Sequence, residues 1–270
     1  MADLEARLGA RLFHRSPAGV ALTEDGALFL AQARAALEAA DAAMGAVGAR
    51  HGEVSGRVRL GCGVAFGRLM VVPRLAPLLA RHPGLSVDLV LSDAAVDLVQ
   101  EGLDASFRIG HVTDPAVVAR RVGVTRRAVV AAPDHLARHG EPRHPRELAA
   151  RDCVIFTGLA TGDAWPFAGP EGPFEVNVAG RFRANSSEAV REAVLAGIGP
   201  ALVPLWLLGP ELAAGRVRAL LPDFTPAPLP IHLVLPTRRQ VPARVRALVE
   251  HIAEAFRAEP LLAEMPAAQG

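Results

Sequence analysis

The stretch that most constrains the fold is Gly56 to Pro73, Gly-Arg-Val-Arg-Leu-Gly-Cys-Gly-Val-Ala-Phe-Gly-Arg-Leu-Met-Val-Val-Pro. It reads as a strand (58–61), a glycine-rich turn (62–67) and the opening of a helix. Gly61, Gly63 and Gly67 lack a Cβ, so backbone turns tightly there and a ligand can come close. The helix N-terminus behind the turn leaves amide donors unpaired, which suits an anion.

The same alternation continues. A helix over 68–81, bent by Pro73 and Pro77, ends at His82-Pro83-Gly84. A strand at 85–91, a short helix at 94–101 and a strand at 105–109 follow, which predicts a small parallel sheet of three strands. Ligands in such sheets sit at the carboxyl ends of the strands, here 62–67, Ser92-Asp93 and 108–110. Strand-like pieces at 117–124 and 127–132 place a crossing to a second lobe near Thr125-Arg126. That lobe is read as helices at 134–139 and 145–149, a strand at 153–157, a polar loop at 158–163 and a strand at 175–182. Asn185-Ser186-Ser187-Glu188 then starts a helix, with Asn185 as cap and Glu188 at the third position of a capping box. A strand at 201–204 and a helical turn at 210–214 follow, and a strand at 231–235 leads back. Val245, Leu248, Val249, Ile252 and Phe256 line one face of a last helix, expected on the first lobe. Residues 259–270 are expected to be a frayed tail.

Before the glycine corner lies an appendage. Leu4, Leu8 and Leu12 share a helix face, and Ser16-Pro17-Ala18-Gly19 is a turn between two short apolar pieces that suit a two-stranded wing. Thr23 is a cap for a helix over 24–50. Leu30, Ala33, Leu37, Ala40, Met44 and Val47 alternate in steps of three and four along it, which predicts a dimerisation seam giving a homodimer or homotetramer.

Composition excludes several classes. With 51% hydrophobic residues over 270 positions the chain can bury a sizeable core, and its net charge of +1 gives no global basic field. The apolar run 193–208 is broken by Gly197, Gly199, Pro200 and Pro204, so no membrane span is expected. The opening Met1-Ala-Asp-Leu-Glu lacks the apolar stretch of a secretion signal, which points to the cytoplasm. His135, His139 and His144, interleaved with Arg138 and Arg143, read as a surface loop, so neither metal nor cofactor is expected. Cys62 and Cys153 read as buried apolar thiols in different lobes.

Residues 4–15 and Val20-Ala-Leu-Thr-Glu-Asp-Gly26, together with Pro83-Gly-Leu-Ser-Val-Asp-Leu89, Leu91-Ser-Asp93, Asp104-Ala-Ser-Phe-Arg-Ile-Gly110, 131–140 and Ala196-Gly-Ile-Gly-Pro-Ala-Leu-Val-Pro204, resemble LysR-type transcriptional regulators in their order and spacing. The resemblance implies an α/β fold: a two-lobed, periplasmic-binding-protein-like effector domain preceded by a linker helix and part of a winged helix-turn-helix. Its domains would be 1–23 (end of the recognition helix and wing), 24–50 (linker), 56–125 with 236–258 (lobe 1), 126–235 (lobe 2) and 259–270 (tail). It implies a DNA-binding regulator answering to a small molecule. Only the tail of the recognition helix falls within the chain. Arg7, Arg11 and Arg15 are therefore expected to touch phosphate, with weak DNA binding and no sequence preference.

The effector site implied lies between the lobes: Val64, Ala65, Phe66 and Gly67 from the first, Thr157, Asn185 and Ser186 from the second, and Arg108 as a cation for a carboxylate. Two facing helix N-termini favour an effector that is a small carboxylate. The other readings are a nucleotide-binding α/β enzyme, from Gly61-x-Gly63-x-x-x-Gly67 with Asp93, and a solute-binding protein. A helix with two prolines and the lack of a general acid–base cluster weigh against the enzyme. The wing segment and the absence of a secretion signal weigh against the solute-binding protein.

Overall fold

The computed structural model describes residues 1–16, 19–49, 54–94, 97–158, 161–236 and 241–263. The side chains of Arg15, Met44 and Val47 lie outside the described residues. Helix α1 (Ala2–Leu8) stops at Gly9, whose φ of 65° is a left-handed cap. Strands β1 (Phe13–Ser16) and β2 (Gly19–Leu22) pair antiparallel as the wing. Thr23 then caps α2 (Glu24–Ala49): its hydroxyl accepts from Gly26 N–H at 2.9 Å and donates to the Arg11 carbonyl at 2.6 Å. A Cβ at Gly26 would stand 2.0 Å from the Leu12 carbonyl oxygen, so only glycine lets α2 seat on the end of the α1 segment.

The first lobe is built on five strands. Strand β3 (Gly56–Cys62) lies parallel between β4 (Leu85–Leu91) and β5 (Ala105–Ile109). The chain between β3 and β4 is one continuous helical run: α3 (Val64–Phe66), a π-helical turn (Gly67–Val71) and α4 (Val72–Arg81). Beyond β5 come β14 (Leu229–Pro236) and β6 (Val117–Thr125), antiparallel to each other, giving the order β4-β3-β5-β14-β6. The sequence reading stops this sheet at three strands and gives 231–235 to the second lobe, and the structure corrects both points. Ile231, Leu233 and Val234 are fully buried on the two faces of β14, and only a central place in a sheet allows that. Helix α8 (Ala243–Arg257) packs on this sheet through Val245, Leu248, Val249, Ile252 and Phe256.

Two other expectations fail here. Within 94–101 the described residues form turns, because the Asp97 carboxylate takes the N–H groups of Val99 (2.7 Å) and Gln100 (2.9 Å) in place of a helix. The segment after 258 is no frayed tail as far as residue 263. Leu262 is fully buried, its carbonyl accepts from Val124 N–H at 2.9 Å, and Glu259 pairs with Arg74 at 2.5 Å.

The chain crosses at Arg126. In the second lobe β7 (Arg127–Ala131) lies between β12 (Ala201–Pro204) and β13 (Arg218–Leu220). Strand β8 (Asp152–Phe156) runs parallel with β11 (Ala179–Ala184) and meets β12's lead-in through Val154 N–H to Pro200 at 2.8 Å. The sequence reading has a loop at 158–163 and one strand at 175–182, whereas the structure has a hairpin, β9 (Ala164–Gly169) with β10 (Gly172–Asn177), before β11. Trp165, Phe167 and Val176 on the hairpin cover Cys153 and Ile155, so its own apolar face decides the fold of this segment. Helices α5 (Pro133–His139), α6 (Ser187–Leu195) and α7 (Gly209–Ala213) complete the lobe. One hydrophobic cluster is shared by the lobes, from Leu60, Phe107 and Phe256 through Phe66 and Trp206 to Val130 and Val190.

Candidate functional site

The glycine corner of the first lobe and the start of α6 in the second face each other. Gly63, the N-cap of α3, has no side chain to satisfy the helix end. Asp93, just beyond β4, supplies that function: its Oδ1 accepts from Val64 N–H at 2.8 Å. Its Oδ2 accepts from Ser187 N–H, the first residue of α6, at 3.1 Å. One carboxylate thus joins helix ends from both lobes, where unpaired N–H groups and aligned peptide dipoles favour negative charge. Beside it Arg68 and Glu188 form a two-pronged ion pair across the junction at 2.8 and 3.0 Å. Both pairs of groups are polar and partly open to solvent, so the lobes meet here through contacts that water can replace.

The expected site residues divide. Val64, half-buried, and Ser186 stand at the junction, with Asn185 and Thr157 exposed around it. The cap of α6 is Ser186, not Asn185; its hydroxyl accepts from Ala189 N–H at a long 3.5 Å, and Glu188 is drawn to Arg68 instead of closing a capping box. The backbone supplies the reason, since Ser186 has the extended φ −115°, ψ 123° of a cap residue. Phe66 does not line an open wall. It is buried, with ring centroids 5.4 Å from Phe107, 5.2 Å from Trp206 and 5.7 Å from Phe256, all edge-on. Ala65 is buried with it. Gly67 serves packing: a Cβ there would sit 2.4 Å from Leu91 Cδ2 and 2.8 Å from Cys62 Sγ. Arg108 pairs with Asp114 at 3.8 Å. It shares a sheet face with Ser106, opposite that of Phe107, so it is not brought together with Phe66.

The histidines are not a loop cluster. His135 is buried on α5, with Nδ1 3.1 Å from the Gly197 carbonyl, and its ring lies 4.6 Å from that of His139. His144 caps the helical turn Pro145–Ala150. His135, His139, Glu147, Arg151, Asp152 and Arg181 line an open cavity of about 600 Å³ on the second lobe, away from the junction. Its charges are engaged internally: Arg151 donates to the Gly140 carbonyl at 2.6 Å and Asp152 holds Arg181 at 2.5 Å.

The described geometry is that of two α/β lobes with a polar junction, and comparison with known proteins gives it a family. The model of the LysR substrate binding domain matches residues 51–257. The chain belongs to the LysR-type transcriptional regulators. It is 30% identical to the HTH-type transcriptional regulator DmlR of Escherichia coli, over 95% of this chain and 83% of that protein. It is 32% identical to the HTH-type transcriptional regulator PtxR of Pseudomonas aeruginosa, over 95% of this chain and 82% of the relative. Among solved structures it resembles the full-length Vibrio cholerae virulence activator AphB, with 25% identity, a TM-score of 0.68 and coverage of 94% and 87%. It also resembles CrgA, a LysR-type regulator from Neisseria meningitidis, with 27% identity, a TM-score of 0.69 and coverage of 94% and 86%. The neighbours carry the same two-lobed effector-domain fold, and the family is one of transcription regulators. Among the described residues no helix is long and apolar enough to cross a membrane.

In this LysR-type chain the residue that sequence reasoning leaves out of the site is Asp93. Its position at a strand end is legible, but the helix end it reaches, Ser187, lies 94 residues away. Burial, with the Asp93 charge second, pushes the Cys62 thiol up to about 12, and burial does the same to Cys153. Both thiols are buried in the folded chain, as the sequence reading expects.

Proposed function

We propose that this regulator senses a small organic acid at the junction of its lobes, and that the acid acts by changing how the lobes meet. The observation that supports this most is the carboxylate of Asp93 held by peptide N–H groups from both lobes at 2.8 and 3.1 Å, because it displays the chemistry that the junction accepts. Val64, Asn185, Ser186 and Thr157 are the side chains proposed to meet the effector. Ala65, Phe66 and Gly67 hold the corner in shape. A change of lobe arrangement would pass to a dimer formed through α2, on which Leu28 and Leu37 are 64% and 69% exposed. Arg7 and Arg11, both exposed, and Arg15 are proposed to contact DNA phosphates.

A thermal-shift screen of aliphatic and aromatic carboxylates tests the reading. A ligand that binds only the folded state stabilises it by roughly 2.7 kcal/mol at a hundredfold excess over its dissociation constant. The expected hit raises the melting temperature of the wild type and raises it less in Asn185→Ala and Ser186→Ala. A shift that both variants keep in full puts the ligand elsewhere. Hits confined to cations or wholly apolar compounds contradict an acid.

A further inference from the structure

The position in the junction that suits an acid is already filled by one of the chain's own. Building on the junction as effector site, we propose that Asp93 is an autoinhibitory latch. It stands in for the effector's carboxylate and holds the two lobes together while the effector is absent. An acidic effector then works by exchange, taking the Ser187 end from Asp93 and so changing the angle between the lobes.

Five observations carry this. Asp93 is held at its own end, since Ser92 N–H donates to the Cys62 carbonyl at 3.0 Å and fixes the residue before it to the C-terminal end of β3. Each carboxylate oxygen serves one lobe, Oδ1 the first and Oδ2 the second, so the bond to Ser187 can open while the bond to Val64 stays. The receiving helix ends are under-capped without it. Gly63 brings no capping side chain, and the Ser186 hydroxyl reaches Ala189 N–H only at 3.5 Å. Asp93 has no ion pair among the described residues, and Arg68, on the helical run that Val64 opens, is paired with Glu188 at 2.8 Å. The Asp93 charge is therefore met by peptide dipoles alone, the interaction that a ligand carboxylate would take over. Gly63 permits the approach, as a Cβ there would lie 3.2 Å from Oδ1.

The experiment uses the whole chain, with acetate and formate as probes and chloride at equal ionic strength as control. Asp93→Ala empties the position, so acetate or formate is expected to raise its melting temperature and to leave the wild type unmoved. Small-angle scattering is expected to show a larger radius of gyration for Asp93→Ala than for wild type, returning towards the wild-type value with acetate. Ser187→Pro removes the receiving N–H, together with the Ser187 hydroxyl, and leaves the Asp93 carboxylate in place. Proline is favoured at the first position of a helix, and Ser186 at φ −115°, ψ 123° already has the backbone that a following proline requires. It should open the lobes as Asp93→Ala does, with the Asp93 charge still present, and it serves in place of Asp93→Ala should that variant fail to fold. Acetate that stabilises wild type and Asp93→Ala alike overturns the latch, as does a Ser187→Pro protein with the wild-type radius of gyration. The latch and the acid-sensing reading fail separately: rescue of Asp93→Ala by acetate, together with a screen in which no carboxylate stabilises the wild type, keeps Asp93 as the contact that holds the lobes together and removes the acidic effector that would displace it.

Discussion

Glu211, in the first turn of α7, is enclosed to 5% side-chain exposure and holds Arg191 and, at 3.1 Å, Arg216. Burial pushes its carboxyl up, but hydrogen bonds from its own backbone, Arg216 and Arg191 outweigh that and keep it below the ordinary 4.5. A folded-state value below the unfolded one stabilises fully above about pH 4.5 and is lost as pH falls through the folded value. Glu211→Ala leaves Arg191 without its buried partner and is expected to cost about 3 kcal/mol in urea unfolding. Glu211→Gln should cost less and flatten the acid side of the stability profile. His135 is also held below its ordinary value, by burial first and then by the charges of His139, Arg138 and Arg151, against the opposing bond to Gly197. The unfolded chain takes up that proton first, so stability is full above about pH 6.5 and declines as pH drops below it. Melting temperatures in mildly acidic buffer should fall less in His135→Gln than in wild type. Neither behaviour is legible in the sequence, where Glu211 and His135 look like any exposed charge beside arginines. Their burial comes from residues far along the chain.

At the scale of elements, periodicity located what is local. The long helix after Thr23, the Thr23 cap, the wing and the apolar stripe of α8 all depend on neighbours within a few turns, and each forms where its pattern puts it. The failures are places where a distant partner decides. The hairpin β9–β10 exists because Trp165 and Phe167 cover the second lobe's core, and the Pro170-Glu171 turn between Gly169 and Gly172 was its only local signal. The start of α6 is one residue later than its sequence suggests, with Ser187 and Glu188 held by Asp93 and Arg68. Leu37, 69% exposed on α2, gives a prediction of its own. Leu37→Glu with Met44→Glu would set charges without partners into the proposed seam. Sedimentation equilibrium should then show a lighter species than the wild type, and an unchanged mass would move the interface off this helix.

At the scale of the whole molecule, the lobes share a core as well as a polar junction. Phe66 of the first meets Trp206 at 5.2 Å, while Trp206 Nε1 donates to Thr125 at 3.0 Å beside the crossing. Rearrangement of the junction is therefore expected as a small rotation about the crossing strands, with the aromatic contact kept. The place of β14 has a further consequence, for the order in which the protein is made. The strands of the second lobe, β7 to β13, come from one unbroken stretch and are complete when residue 220 leaves the ribosome. Strand β6 emerges earlier but among the described residues pairs with β14 alone, so the edge of the first lobe stays open until residue 236 arrives. The two thiols report on this separately, Cys62 in β3 and Cys153 in β8. In a nascent chain stalled with residue 225 at the tunnel exit, alkylation should reach Cys62 quickly and Cys153 slowly. Equal rates would mean that neither half can close before the last strand is synthesised.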